Sequence, residues 1–257
     1  MPPHPRLSAF LIVHDEARHL GDCLASLDGL ADEIVVLDDG STDATVEIAR
    51  AAGARVEHRP FDDFGRQKQA ALEFTTGEWV LSIDADERVT PPLAEQIRET
   101  IAEPGAADGY WIRRELIYLG TRLRHGGAER DWVLRLARRG RVRVAQVPIH
   151  EHLLVDGRDA RLCGTLDHVK YRTLAEHVAQ MNRYTDVIAA QKRSRGGAFR
   201  AWHLLRIPAE LFVRLVLRLG VLDGRAGVIH AAMAAYYGFL KFAKMWPPEG
   251  PTSTRRS

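Results

Sequence analysis

Ile34-Val35-Val36-Leu37-Asp38-Asp39-Gly40-Ser41-Thr42-Asp43 is an apolar, largely β-branched run that stops at two carboxylates, a glycine and a set of short polar side chains. A brief, uninterrupted apolar run bounded in this way reads as a strand buried on both faces, as in a parallel sheet. Ser41-Thr42-Asp43 stands where a helix N-cap is wanted before Thr45 to Ala52, with Ser41 or Asp43 as the capping side chain. The same punctuation recurs on either side. Leu7 to Val13 is a first strand, Leu20, Leu24, Leu27 and Leu30 repeat at helical spacing, and Arg55 to His58 is a third strand. Gln67 to Phe74 reads as a helix broken by Gly77, Trp79 to Ile83 as a fourth strand, and Pro91-Pro92 opens a helix through Ile101. Strands alternating with helices at intervals of about 25 residues imply βαβ units, hence an α/β, Rossmann-like, mostly parallel sheet with flanking helices.

In such sheets ligands bind beyond the carboxyl ends of the strands. Asp38-Asp39 follows the second strand and Asp84-Ala85-Asp86-Glu87 follows the fourth, so two acidic clusters distant in sequence meet at one edge. Crowded carboxylates repel one another unless a cation neutralises them. Mg²⁺ and Mn²⁺ take oxygen ligands and keep positions open for phosphate, and a metal also stabilises a departing diphosphate. A solvated turn would explain a lone Asp-x-Asp; a second Asp pair at the same edge favours chemistry. Gly40 lets backbone approach a ligand closely.

Between Gly105 and His168 the strand candidates are Tyr110 to Arg114, Val133 to Leu136, Val142 to Val147 and Arg161 to Leu166, with Gly126-Gly127 marking a loop. After Tyr171 the pattern is helical. The expected organisation is a catalytic domain over 1–172, a helical, membrane-associating region over 173–248 and a disordered tail over 249–257. A chain of 257 residues, 46% hydrophobic, can bury a full core. A net charge of +2 does not make nucleic acid the default partner. Cys23 and Cys163 lack zinc or redox spacing and read as reduced thiols. No Sec-type leader and no spanning segment is evident, so the catalytic part is expected in the cytoplasm.

Three blocks, Leu11-Ile12-Val13-His14-Asp15-Glu16, Ile34 to Thr45 and Trp79 to Glu87, resemble in order the successive signatures of family 2 glycosyltransferases with the GT-A fold. Arg135-Leu136, His150-Glu151 and the helical tail extend the likeness, which is greatest to lipopolysaccharide inner-core β-1,4-glucosyltransferases. His14-Asp15 departs from the pattern, since many members carry Asn directly before the Glu. The resemblance implies inverting transfer of a hexose, glucose first, from a UDP-sugar to a lipopolysaccharide core or similar envelope glycolipid. It implies a donor site at Val13, Asp15, Glu16, Asp38, Asp39, Lys68, Asp84 and Ala85, with Glu16 and Asp38 or Asp39 on the nucleoside. A Mg²⁺ or Mn²⁺ ion would sit on Asp84, Asp86 and His168. A solvated helix face would explain Lys68 equally well. Inversion needs one general base; Glu151 is the candidate and Asp131 the alternative.

Arg206, Glu210, Arg214 and Arg218, spaced by four, form a charged stripe, and leucines, valines and Phe212 cover much of the remaining circumference. Between Lys192 and Arg225 basic residues outnumber acidic ones by eight to two. This composition suits a helix lying on an anionic bilayer, on the inner face of the cytoplasmic membrane; a hairpin packed on the core or on another subunit is the alternative. Two other functions remain open at this point: a related transferase acting on protein or another polysaccharide, and a nucleotide-sugar sensor without turnover.

Overall fold

A computed structural model of the chain describes residues 6–128, 131–145 and 152–246. These divide into two compact units, one within Met1–Glu115 and Arg130–Val169, the other within Leu116–Glu129 and Lys170–Ser257.

Along the chain run β1 (Leu7–Val13), α1 (Ala17–Ala25), β2 (Glu33–Asp38), α2 (Thr45–Ala51), β3 (Arg55–His58), α3 (Phe64–Glu73), β4 (Trp79–Ser82), β5 (Glu87–Val89) and α4 (Pro91–Ala102). They are followed by β6 (Gly109–Tyr118), β7 (Thr121–Arg122), β8 (Trp132–Arg138), β9 (Val142–Val144), β10 (Leu153–Val155) and β11 (Asp159–Tyr171). The main sheet has the order β3-β2-β1-β4-β8-β6-β11-β5, with β7 added to β6. Its first four strands are parallel. The β4–β8, β8–β6 and β11–β5 pairs are antiparallel, and β9 and β10 form a separate ribbon. The parallel part reverses its direction of growth at β1, because β2 and β3 lie on one side of it and β4 on the other. That reversal is where a ligand crevice is expected.

β1 is buried on both faces, as its unbroken apolar run requires. Leu7, Ala9, Leu11 and Val13 join Leu20, Cys23, Leu24 and Leu27 on one side, while Phe10 packs with Val35, Leu37, Ala71 and Leu72 on the other. Each fully buried side chain of this size contributes about 1.5–3 kcal/mol relative to exposure. The sheet is thereby fixed from both sides, and its strand ends are held in register: Val13 lies beside Asp38, which lies beside His58.

Several elements differ from expectation for local reasons. α1 stops at Ala25, and Leu27 and Leu30 are buried from a following turn closed by a Leu30 N–H bond to the Leu27 carbonyl at 3.0 Å. Their spacing recorded burial rather than a helix. Strands β5, β7 and β10, of three residues or fewer, are too short to show a period. β9 ends at Val144, and Val147 lies outside the described residues. Ser41 is not the cap of α2, whose N-cap position is Ala44 without a side-chain bond. The Ser41 hydroxyl instead accepts the Asp15 N–H at 2.9 Å, and Asp43 accepts the Thr45 N–H at 3.0 Å.

The second unit is helical. α5 (Leu174–Ser194) is capped by Thr173, whose hydroxyl accepts the Glu176 N–H. A 3-10 segment, Ala201–Leu205, leads into α6 (Arg206–Phe212), which runs on as a π-helical turn, Val213–Leu217. After a 3-10 turn at Gly220–Asp223 comes α7 (Gly224–Ala243). Within this unit His177 stacks on Tyr171 with ring centroids 4.1 Å apart and shares a 2.9 Å hydrogen bond with the Tyr118 hydroxyl. No helix among the described residues is long and apolar enough to cross a membrane. The tail expected at 249–257 lies outside the described residues.

Candidate active site

The carboxyl ends of β1, β2 and β4 bring the acidic residues to one rim. At the β2 end, Asp38 is buried and accepts the Gly40 N–H at 2.9 Å and the Ser41 N–H at 3.1 Å, with His58 Nδ1 at 3.3 Å. Burial would raise this carboxyl; the hydrogen bonds from Ser41 and Gly40 outweigh it and hold the acid below its usual range. Gly40, at φ 110°, makes the tight turn that aims those N–H groups inward. Asp39 pairs with His14 through a short hydrogen bond, and its own N–H reaches the carbonyl of buried Val13.

The β1 end is tied to the same loop. Asp15 occupies the left-handed region at φ 52°, which Asp tolerates better than most residues, and accepts the Thr42 N–H at 2.6 Å. The Glu16 N–H donates to the Thr45 hydroxyl at 2.8 Å. Glu16 thus stands between the two acidic clusters. Burial first, then Asp86, Asp43 and Asp84, push its carboxyl up to about 7. The β1 end thus lies between the β2 loop, to which Asp15 and Glu16 are tied, and β4, which pairs with β1 on its other side.

At the β4 end an alternating row of charges crosses the sheet. Asp84 receives Lys68 Nζ at 2.9 Å and a short hydrogen bond from Arg135 Nη2. The same Arg135 nitrogen donates to Glu87 at 2.6 Å. Glu87 also takes Arg114 Nη1 at 3.1 Å and, with its other oxygen, the Asp84 N–H at 3.0 Å. Arg114 closes the row with a two-pronged pair to Asp131 at 2.9 and 3.0 Å. Lys68, Glu87 and Arg135 are all buried. Burial would raise the Asp84 carboxyl, but Arg135 and Lys68 prevail and hold it far below the usual range. Asp84 is therefore neutralised by protein cations, and Lys68 spends its charge on Asp84 rather than on a solvated helix face. Beneath this turn the buried Cys23 thiol donates weakly to the Asp84 carbonyl at 3.5 Å, and burial keeps its pKa raised. Ala85 is buried, with its carbonyl bound by Arg88 at 2.8 Å.

Asp86 has a different neighbour. The β5–β11 register sets His168 opposite Glu87, and the Val169 N–H binds the Asp86 carbonyl at 2.8 Å. His168 Nε2 then lies 3.1 Å from Asp86 Oδ2. Adjacent ligands of an octahedral cation with bonds of about 2.1 Å stand about 3 Å apart, so this carboxylate–imidazole pair fits two sites of a Mg²⁺ or Mn²⁺ shell. The three metal ligands expected from the sequence, Asp84, Asp86 and His168, do not form a cluster, and no other cluster of three exists among the described residues. Lys68 and Arg135 engage both oxygens of Asp84, which leaves Asp86 and His168. Two protein ligands are what a cation shared with a diphosphate needs, since Mg²⁺ keeps several positions for water and phosphate.

Of the residues singled out in the sequence, Val13, Asp15, Glu16, Asp38, Asp39, Lys68, Asp84, Ala85, Asp86 and His168 belong to this rim. Among the described residues Asp131 joins it through Arg114 and Glu87, with both carboxylate oxygens engaged by the guanidinium. Glu151 lies outside the described residues. The contributions of Arg114 and Arg135 were not read from the sequence. The available signal was Arg135 between Leu134 and Leu136 in β8, where a charge within an apolar run demands a buried partner, whereas Arg114, beside Arg113 and Glu115, carried no such signal. An open cleft of about 370 Å³ lined by Arg138, Arg139 and Arg141 lies at the opposite ends of β4 and β8 and holds none of these groups.

Comparison with known proteins bears on the family. The family model "Glycosyl transferase family 2" matches residues 8–151. A lipopolysaccharide core biosynthesis glycosyltransferase, LpsC, of Rhizobium meliloti is 34% identical over 96% of this chain and 94% of its own. An uncharacterized glycosyltransferase of Rickettsia typhi is 25% identical over 93% of this chain and 86% of its own. Among solved structures, S. aureus TarS overlays 90% of this chain and 54% of its own at 15% identity and TM-score 0.49. Glucosyl-3-phosphoglycerate synthase of Mycobacterium tuberculosis, in complex with Mn²⁺, UDP and glucosyl-3-phosphoglycerate, overlays 53% of this chain and 57% of its own at 22% identity and TM-score 0.40. The order of strands, the carboxylates at their ends and the family match over more than half of its length place this chain in glycosyl transferase family 2, with the GT-A fold.

Proposed function

We propose that the chain transfers a hexose, glucose in the first instance, from a UDP-sugar to a lipopolysaccharide core or similar cell-envelope glycolipid, with inversion at the anomeric carbon. The observation that carries this reading is the Asp86–His168 pair at 3.1 Å on the same rim as Asp38 and Glu16. The acceptor class is supported by the 34% identical relative, a lipopolysaccharide core biosynthesis glycosyltransferase.

In this reading Asp38, Asp39 and Glu16 hold the nucleoside, and the Val13–Asp15 backbone forms the edge of its pocket. Asp86 and His168 hold a Mg²⁺ or Mn²⁺ ion, which when bound supplies charge neutralisation for the departing diphosphate. Asp84, with its charge already taken by Lys68 and Arg135, orients the turn and offers its outer edge to donor hydroxyls. A carboxylate on the opposite side of the anomeric carbon removes the acceptor proton. Glu151 takes that role here, on the family likeness of His150-Glu151, while the Arg114 pair makes Asp131 a positioning group. A glycolipid acceptor puts the reaction at the inner face of the cytoplasmic membrane, with the protein peripheral on it.

The test is a donor screen of the purified chain with a lipopolysaccharide-core acceptor, scored by UDP or GDP release with Mn²⁺, with Mg²⁺ and with chelator. UDP release that requires acceptor and metal and is abolished in Glu151→Gln supports the reading. Absence of release with every nucleotide-sugar would overturn it.

A further inference from the structure

We propose that segment 202–222 docks the protein on an anionic lipid bilayer, inserting the apolar side chains of two short turns and holding arginines at headgroup level. This deepens the glycolipid reading of the acceptor, although it is tested without donor or acceptor.

The argument starts from an inverted surface. In a water-facing helix the charged stripe points outward and the leucines point inward. Here Arg214 is only 22% exposed, pairs with Glu210 at 2.6 Å and donates to the Gly126 carbonyl at 3.2 Å. Leu205, Leu217 and Leu222 are 70%, 64% and 64% exposed, and Trp202 and Phe212 are also open to solvent. Two members of the charged stripe seen in the sequence, Arg214 and Arg218, thus serve the unit's own 126–127 loop, while the leucines, Trp202 and Phe212 stand in solvent. Scattered exposed leucines are ordinary; a contiguous run of them over one short segment marks a contact surface.

The apolar turn is braced rather than frayed. The π-helical turn closes with an Arg218 N–H bond to the Val213 carbonyl at 2.8 Å, and the Gly126 N–H binds the Arg218 carbonyl at 2.8 Å. The Arg218 guanidinium lies where a side chain at Gly127 would have to go, 2.6 Å from its Cβ position. Leu219 is held in the left-handed region at φ 55°, an uncommon state for a leucine that its surroundings must impose. Asp223 fixes the far end by accepting the Arg124 and His125 N–H groups. Rigid presentation of leucines to solvent has no use in water.

Charge selects the occupant. Of the two acids of the region, Asp223 is turned inward to the 124–125 loop, and Glu210, 40% exposed, has its charge paired with Arg214. Arg200, Arg206, Arg218 and Arg225 of the same stretch are exposed, Arg206 with its guanidinium over the Phe242 ring. A segment that exposes apolar side chains together with several arginines fits a bilayer whose headgroups are anionic better than it fits a second copy of itself, which would oppose like charges.

The experiment is co-sedimentation of the full chain with sucrose-loaded vesicles of phosphatidylcholine alone or with about 30% phosphatidylglycerol. The wild type is expected to pellet with the anionic vesicles, less with the neutral ones, and less at high salt. The pair Leu217→Glu/Leu222→Glu is expected to partition at least tenfold more weakly, with an unchanged circular dichroism spectrum and melting point. Leu217→Gln/Leu222→Gln separates lost insertion from added repulsion and is expected to fall between them. The proposal is overturned if the wild type stays in the supernatant, if the glutamate pair binds like wild type, or if sedimentation equilibrium shows a dimer that the glutamate pair dissociates. UDP binding by calorimetry on the same samples reads the donor site separately.

Discussion

Arg135→Met removes one guanidinium and leaves two carboxylates short of a partner. Of the cations among the described residues, Asp84 would keep Lys68 and Glu87 would keep Arg114, and Glu87 is fully buried. Breaking a buried ion pair from one side costs about 3–5 kcal/mol, because the remaining charge stays in a poorly solvating place. A chain of this size loses about 2–4 °C of melting temperature per kcal/mol, so the drop is expected between roughly 6 and 20 °C by scanning calorimetry. Arg135→Lys keeps a charge but cannot reach both acids with one ammonium, and should recover only part of the loss. The Asp84–Glu87 turn also aims Asp86, so Mn²⁺ titrated into folded Arg135→Met below its melting point is expected to bind more weakly than to wild type. A melting point within about 2 °C of wild type would show that the row of charges does not brace the site, and the reasoning would fail.

Three further outcomes follow from the same geometry. Asp86→Asn should abolish metal-dependent transfer, and His168→Ala should weaken Mn²⁺ binding by about 10–100-fold in a spin-resonance titration; unchanged binding in both would remove them from the metal shell. Glu16 has its carboxyl raised from 4.5 to about 7, so the folded state holds its proton longer than the unfolded chain, and stability declines as pH climbs through that window. Glu16→Gln should erase that decline, stabilising the protein near pH 8 by about 1–3 kcal/mol while weakening UDP binding; the check is urea midpoints across pH. His177 is pushed down from 6.5 to about 4 by burial, so the folded state refuses a proton that the unfolded chain accepts. Its contribution to stability is complete above pH 6.5 and is lost as pH falls toward 4, and His177→Phe should flatten that part of the acid-denaturation curve.

The parallel half of the sheet was legible because its information is local. Leu7 to Val13 and Ile34 to Leu37 are apolar without interruption, and a strand needs no distant partner to announce that both its faces are buried. The carboxylates after β2 and β4 were likewise readable, since a parallel strand places its ligand groups at its carboxyl end. What each carboxylate does was not readable. Asp84 and Asp86 are two residues apart in sequence, yet Lys68 and Arg135 engage one and His168 reaches the other. That division is made by α3, β8 and β11, which arrive from 16 to 82 positions away. Asp131 looked like a base from its type and place, and only the β6–β8 pairing shows it held by Arg114. The helical tail repeats the lesson. Its periodicity set a charged stripe apart from an apolar face, but periodicity has no sign, and only the folded unit shows Arg214 and Arg218 against Gly126 and Gly127 while Leu205, Leu217 and Leu222 stand in solvent. Sequence fixes which residues share a strand or a face, because those are properties of neighbours along the chain; the pairing of charges depends on distances across it, which only the folded chain sets.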